Sequence, residues 1–170
     1  WEVARRAAID TGNDPALLEA LFDDGEFITR QGPENFCTFP QSHVRSTIYD
    51  SLDFNSRRDL HVLAAGIFRD ALPTEAPETI QTVAFHFLLA NAISEGAKFI
   101  LKAAQLLSES NALPASYQHY KALLDARTAI PPEMLLETIT QTGILLIKLG
   151  RFADALTIFN QKFLDEMPNT

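Results

Sequence analysis

Four histidines, one cysteine and a knot of arginines are the side chains of this chain with the most chemistry to offer. The histidines stand at His43, His61, His86 and His119, and none pairs with a Cys, Asp or Glu at metal-ligand spacing. His61 and His86 fall beside apolar positions of helical stretches, which predicts packing histidines with one hydrogen bond each. Ser42 precedes His43, but adjacent residues of a helix face different ways, so the two do not make a nucleophile–base pair. Ser-His-Asp chemistry also needs an oxyanion site, and none can be placed. Cys37 is the sole cysteine, so no internal disulfide forms, and in a strand it reads as a small core residue. No positioned base accompanies it to hold a thiolate. The glycines at 12, 25, 32, 66, 96, 143 and 150 never form a Gly-x-x-x-x-Gly-Lys phosphate loop. The expectation is a non-enzymatic chain with no catalytic, cofactor-binding or metal residue of its own.

Contact chemistry is better represented. Arg45, Arg57 and Arg58 form the one basic cluster and suit a nucleotide phosphate or an acidic protein surface. Salt bridges to Asp50, Asp53 or Asp59 at a domain junction would absorb the same charges. Phe99, Tyr117 and Tyr120 are candidate contacts in a groove of helical repeats, which often take peptides; tyrosines at helical spacing also serve as packing between helices. A net charge of −8 over 170 residues argues against a nucleic-acid surface, which needs clustered Lys and Arg. Arg5, Arg6 and Arg30 could mark the wing of a DNA binder. The helix that would enter the groove, however, carries Glu19 with Asp23 and Asp24 beyond it, and no Lys or Arg.

These residues need elements to hold them. Hydrophobic residues make up 46% and charged residues 21%, an ordinary globular balance. No window reaches the roughly 18 apolar residues of a spanning helix, and no signal peptide is visible, which predicts a cytoplasmic protein with no membrane contact. The chain opens at Trp1 in what reads as mid-helix, so a segment of a larger protein is expected. Asp14 and Pro15 start a short helix with Leu17, Leu18, Leu21 and Phe22 on one face. Glu26–Arg30 and Phe36–Phe39 read as strands flanking the turn cluster Gln31–Asn35. Helix, helix and hairpin together predict the latter part of a winged helix.

Beyond Pro40 the pattern turns helical. Val44, Ile48 and Leu52 share one face, and a second helix is expected from Arg57 to Leu72 with Asn55 or Ser56 as its cap. Pro73–Pro77 reads as a stiff linker. Helices then follow over Glu78–Leu89, Ile93–Leu107, Ala115–Ala129, Glu133–Leu149 and Arg151–Phe163. Gly143, Leu146, Gly150, Ala155 and Phe159 fall at tetratricopeptide spacing, although the step from Ala115 to Ala155 exceeds the usual period of about 34 residues. The expected fold is mostly α: a partial winged helix with a small β-hairpin, then antiparallel, tetratricopeptide-like helical hairpins. The expected domains are 1–52 (winged-helix part and junction helix), 53–72 (linking helix) and 78–170 (helical repeats).

Residues 14 to 125 resemble a segment of the STAND-type regulatory ATPases of bacteria, signal-transducing relatives of AAA proteins. These are often joined to adenylate or guanylate cyclase, Ser/Thr kinase or LuxR-type regulator domains. The family pattern runs Phe-x-His-x-x-(Val/Ile)-Arg-x-x-(Val/Ile)-Tyr-x-x-Leu, then Arg-Arg-x-Leu-His and a later His-Phe. Phe39, Arg45, Ile48, Tyr49, Ser51 and Leu52 match, as do Arg57, Arg58, Leu60, His61, His86, Phe87, Ala97, Ala103 and Ala104. Gln41 stands where the family has His, with His43 two residues on. The resemblance implies a regulatory, non-catalytic segment that couples nucleotide state to the sensing of a protein or small ligand. It implies an upstream nucleotide-binding module in the same chain, with ATP and Mg bound there and not here. Gln41, His43, Arg45, Arg57 and Arg58 are then candidate inter-domain contacts. A DNA-binding regulator using the winged helix, and a stand-alone peptide-binding scaffold, are the competing expectations.

Overall fold

The computed structural model describes residues 29–31, 36–38, 41–71, 73 and 75–166. Through them run seven α-helices: α1 (Ser42–Ser51), α2 (Phe54–Ala71), α3 (Pro77–Leu89), α4 (Ile93–Glu109), α5 (Leu113–Asp125), α6 (Pro132–Lys148) and α7 (Phe152–Glu166). A 3-10 turn, Arg127–Ala129, joins α5 to α6.

Proline sets three of the helix starts. Pro77, Pro114 and Pro132 sit in the first turns of α3, α5 and α6. There the absent N–H would have had no helical partner, and φ is already helical. The stops use a repeated device. Asn91, Asn111 and Gly150 adopt left-handed φ values of 51°, 60° and 73° just past α3, α4 and α6. At each, two backbone bonds close the helix end. The N–H groups of Ala92 and Asn91 donate to Phe87 and Leu88, those of Ala112 and Asn111 to Leu107 and Ser108, and those of Arg151 and Gly150 to Leu146 and Ile147. This cap satisfies the last carbonyls and reverses the chain within about two residues.

Tight reversals make sequence neighbours into packing partners: α2 with α3, α3 with α4, α4 with α5, α5 with α6 and α6 with α7. The core runs along these seams through Ala65, Ile80, Val83, Phe87, Ile100, Leu101, Tyr120, Leu123 and Leu145. Burying each large apolar side chain is worth about 1.5–3 kcal/mol. Close approach depends on small residues. A Cβ on Gly96 would overlap the Phe87 side chain, and one on Gly143 would overlap the Phe159 ring. Buried hydroxyls find partners: Ser116 Oγ donates to the Ala104 carbonyl at 2.7 Å and ties α5 to α4. Thr138 and Thr142 bond back to Met134 and Thr138 on their own helix.

The expected fold class is overturned. From Gln41 to Glu166 the described chain is an all-helical bundle with no strand. Ahead of it, strands β1 (Thr29–Gln31) and β2 (Phe36–Thr38) pair antiparallel over three residues, but no helix of the body packs on that ladder as the helices pack on one another. Among the described residues no helix forms a layer on this ladder, and a two-stranded ladder this short is not a domain by itself; the fold is the helical bundle and not the expected partial winged helix. The helices expected over Trp1–Ile9 and Asp14–Phe22, the turn at 32–35 and Phe39 lie outside the described residues. Pro73–Pro77 connects two helices of one core. The Ala76 N–H bonds to the Pro73 carbonyl, Pro77 opens α3, and α2 shares its core with α3. Among the described residues no helix is long and apolar enough to cross a membrane.

Candidate functional site

The site is built where α1, α2 and α3 meet. Asp53 makes the bend between α1 and α2. Its Oδ1 accepts from the N–H groups of Asn55 and Ser56 at 2.9 and 3.0 Å, and its Oδ2 accepts from the Ser56 hydroxyl at 2.5 Å. These bonds, the Ser56 hydroxyl foremost, hold the carboxyl below its ordinary value. The cap therefore lies two or three residues earlier than the sequence predicts, and α2 begins at Phe54 instead of Arg57. Arg57 is thereby free to reach back. Its Nε donates to the Leu52 carbonyl at 2.9 Å, and its guanidinium lies 5.3 Å from the Tyr49 ring centroid. One side chain thus satisfies a carbonyl at the end of α1 and covers the aromatic face of that helix.

Tyr49 continues the chain of contacts. Its hydroxyl is 3.0 Å from His61 Nε2, and His61 Nδ1 is 2.9 Å from His86 Nδ1. The sequence predicts one hydrogen bond for each histidine, but His61 uses both ring nitrogens and so links all three helices. Phe68 stacks on the His86 ring at 5.5 Å and Phe85 meets its edge at 5.7 Å. Burial holds both imidazoles below their ordinary value, and the neighbouring His61 lowers His86 further. Around this relay opens a groove of about 440 Å³, lined by Arg45, Ser46, Tyr49, Asp50, His61, Phe85, His86 and Leu89. Phe85 and Leu89 expose 55% and 45% of their surface and Tyr49 exposes 38%, so the groove offers apolar surface to solvent.

The candidate inter-domain residues separate. Arg45 lines the groove, and Arg57 is committed to Leu52 and Tyr49. Arg58 lies 3.7 Å from Asp59 on the exposed side of α2. Gln41 precedes α1 without capping it by its side chain, and His43 is exposed on the first turn of α1. The candidate repeat-groove residues do not converge. Tyr120 is core, 1% exposed, and burial first, then Glu137 and Glu109, push its hydroxyl up to about 12. Phe99 packs half-buried against the same core. Only Tyr117 meets open space, in a second groove of about 440 Å³ between α5, α6 and α7 with Lys121, Arg127, Leu135, Ile139 and Ile158. The Arg151 guanidinium lies 4.9 Å from the Tyr117 ring and is held by Asp154 at 2.6 Å.

Among the described residues no group of three or more His, Cys, Asp or Glu side chains is placed to hold a metal ion. The His61–His86 pair stands 25 positions apart in sequence and meets only through the α2–α3 packing register. The types were visible in the sequence and the pairing was not. No protein-family model, curated protein or solved structure matches this chain.

Proposed function

We propose that this chain is a regulatory, protein-interaction segment of a multidomain signalling ATPase, and that the α1–α3 groove is where it meets the nucleotide-binding module of its own chain. The observation that carries this is the exposed apolar rim of Tyr49, Phe85 and Leu89 around a groove with Arg45 at its edge. Exposed aromatic and aliphatic side chains beside a cation suit an interface with a mixed apolar and acidic surface. The resemblance supports the same place: Arg45, Tyr49, Arg57, His61 and His86, which carry much of it, meet at this groove. In this reading, contact with the groove favours one arrangement of the nucleotide module, and a ligand on the α5–α7 groove shifts the balance by binding the two arrangements unequally.

The test has two steps. Top-down mass spectrometry of the intact native protein reads what precedes Trp1. A phosphate loop about one domain length upstream, on the order of 150–250 residues before Trp1, supports the reading, and its absence overturns it. Phe85→Asp in the intact protein should then change nucleotide retention while leaving the helical circular dichroism intact. Unchanged retention would remove the groove from the coupling. The DNA-binding alternative needs a winged helix with Arg5, Arg6 and Arg30 as its wing, and of these only Arg30 lies among the described residues; its groove helix, Asp14–Phe22, carries Glu19 and no Lys or Arg.

A further inference from the structure

The imidazoles of His61 and His86 face each other nitrogen to nitrogen, an arrangement with few allowed protonation states. With both rings neutral, one Nδ1–H donates to the other Nδ1 across 2.9 Å. Tyr49 completes the line by donating to or accepting from His61 Nε2 at 3.0 Å. A first proton added to His61 keeps every bond. Its Nδ1–H then donates to neutral His86, and its Nε2–H donates to the Tyr49 oxygen. A second proton, on His86, places two N–H donors and two positive charges face to face with no acceptor between them.

From this geometry we propose that His61 and His86 form a two-proton latch across the α2–α3 seam, closed with zero or one added proton on the pair and opened by the second. Opening parts the two rings, releases Tyr49 from its neighbour and widens the groove that α1, α2 and α3 share.

The surroundings resist the second proton. From α1 the groove receives the cation of Arg45 and the carboxylate of Asp50. From α2 it receives Arg57 over Tyr49, with Arg58 and Asp59 paired loosely on the outer side. On α3 the neighbours of His86 are aromatic, since Phe85 meets its edge, and Phe68 of α2 lies against its face. From α4, Glu95 is engaged by the Ser94 hydroxyl and feels Arg58, whereas the charge that acts on His86 is that of His61. Among the described residues no carboxylate stands between the rings to take up a second charge. The pair therefore titrates as a unit in two macroscopic steps.

The inference rests on ring geometry and stands apart from the function proposed above. It is tested on the full 170-residue chain labelled with ¹⁵N. Long-range ¹H–¹⁵N spectra between about pH 8 and 4.5, spanning the ordinary histidine range, follow each ring's protonation and tautomer. Amide hydrogen exchange, corrected for its intrinsic pH dependence, follows the seam in parallel. The expected result is two separated steps for His61 and His86. Exchange in α2 and α3 rises about tenfold across the second step only, the change that one pKa unit of coupling produces. In His86→Gln, whose amide bonds His61 without titrating, that rise disappears; His119→Gln leaves it in place. Independent single titrations of the two rings, a second step with no change in exchange, or a rise that survives in a folded His86→Gln protein would each overturn the proposal. The wild-type titration decides the matter even if that variant does not fold.

Discussion

The groove at α1–α3 and the groove at α5–α7 have the same volume, about 440 Å³, yet they are built differently. The second lies on interlocked helices. Behind it Leu145 and Leu146 are 1% and 0% exposed, and Gly143 admits the Phe159 ring. Beside its tyrosine lies Arg151, which is itself held by Asp154. The first lies at a junction. α1 is exposed along most of its length, with Ile48 47% exposed, and polar contacts through Arg57 and the Tyr49–His61–His86 line tie it to its neighbours. Apolar close packing is insensitive to pH and costly to perturb at any point. A polar junction is cheaper to perturb and responds to protons. The same helical bundle thus carries one groove fixed by packing and one held by titratable contacts.

The largest expected effect separates the two regions directly. Leu146→Ala should destabilise the chain by about 2–5 kcal/mol, the range for a buried leucine, whereas Ile48→Ala should change stability by no more than about 0.5 kcal/mol. Urea unfolding of both variants checks this, and equal losses would erase the distinction. Next comes Gly143→Ala, which forces a Cβ into the Phe159 ring and should cost about 1–3 kcal/mol. Phe159→Leu in the same chain should recover part of that loss. A double variant no more stable than the single would mean that the two residues do not meet.

Acid should then act on the junction and spare the interlocked seam. Both imidazoles are held below 6.5, so the neutral forms favour the folded state. That contribution is complete above pH 6.5 and is lost as the pH falls through the folded-state values. Thermal melts across this range should show stability falling with acid in wild type and a shallower fall in the His61→Gln/His86→Gln double variant. Identical slopes would place the acid sensitivity elsewhere. The smallest effect belongs to Asp53→Ala. Loss of the cap should fray the first turn of α2 and raise amide exchange at Asn55 and Ser56, with little change at α6.

Much of the helical body was legible in the sequence because its signals are local. Pro77, Pro114 and Pro132 mark starts, Gly150 marks a stop, and apolar spacing places α3 to α7 to within a few residues. Two other stops were equally local: Asn-Ala-Ile at 91–93 and Asn-Ala-Leu at 111–113 repeat one cap, with asparagine tolerating the left-handed conformation. The strands at Thr29–Gln31 and Phe36–Thr38 do form, but a pattern over three or four residues specifies a strand and not what packs on it, so the winged helix does not follow from the hairpin. Helical spacing offers Tyr120 equally to a groove and to packing between helices, because it does not say which face is covered, and Tyr120 belongs to the shared core. The His61–His86 contact depends on the packing register of two helices, which no local pattern encodes.

Hydrogen exchange of the multidomain protein proposed above, compared with that of this chain alone, tests the central claim most directly. If the α1–α3 groove meets another module, the amides around Tyr49, Phe85 and Leu89 gain protection in the intact protein, and those lining the α5–α7 groove do not. Unchanged exchange around Tyr49, Phe85 and Leu89, with new protection around Tyr117 and Ile139, would contradict the account and move the interface to the other groove.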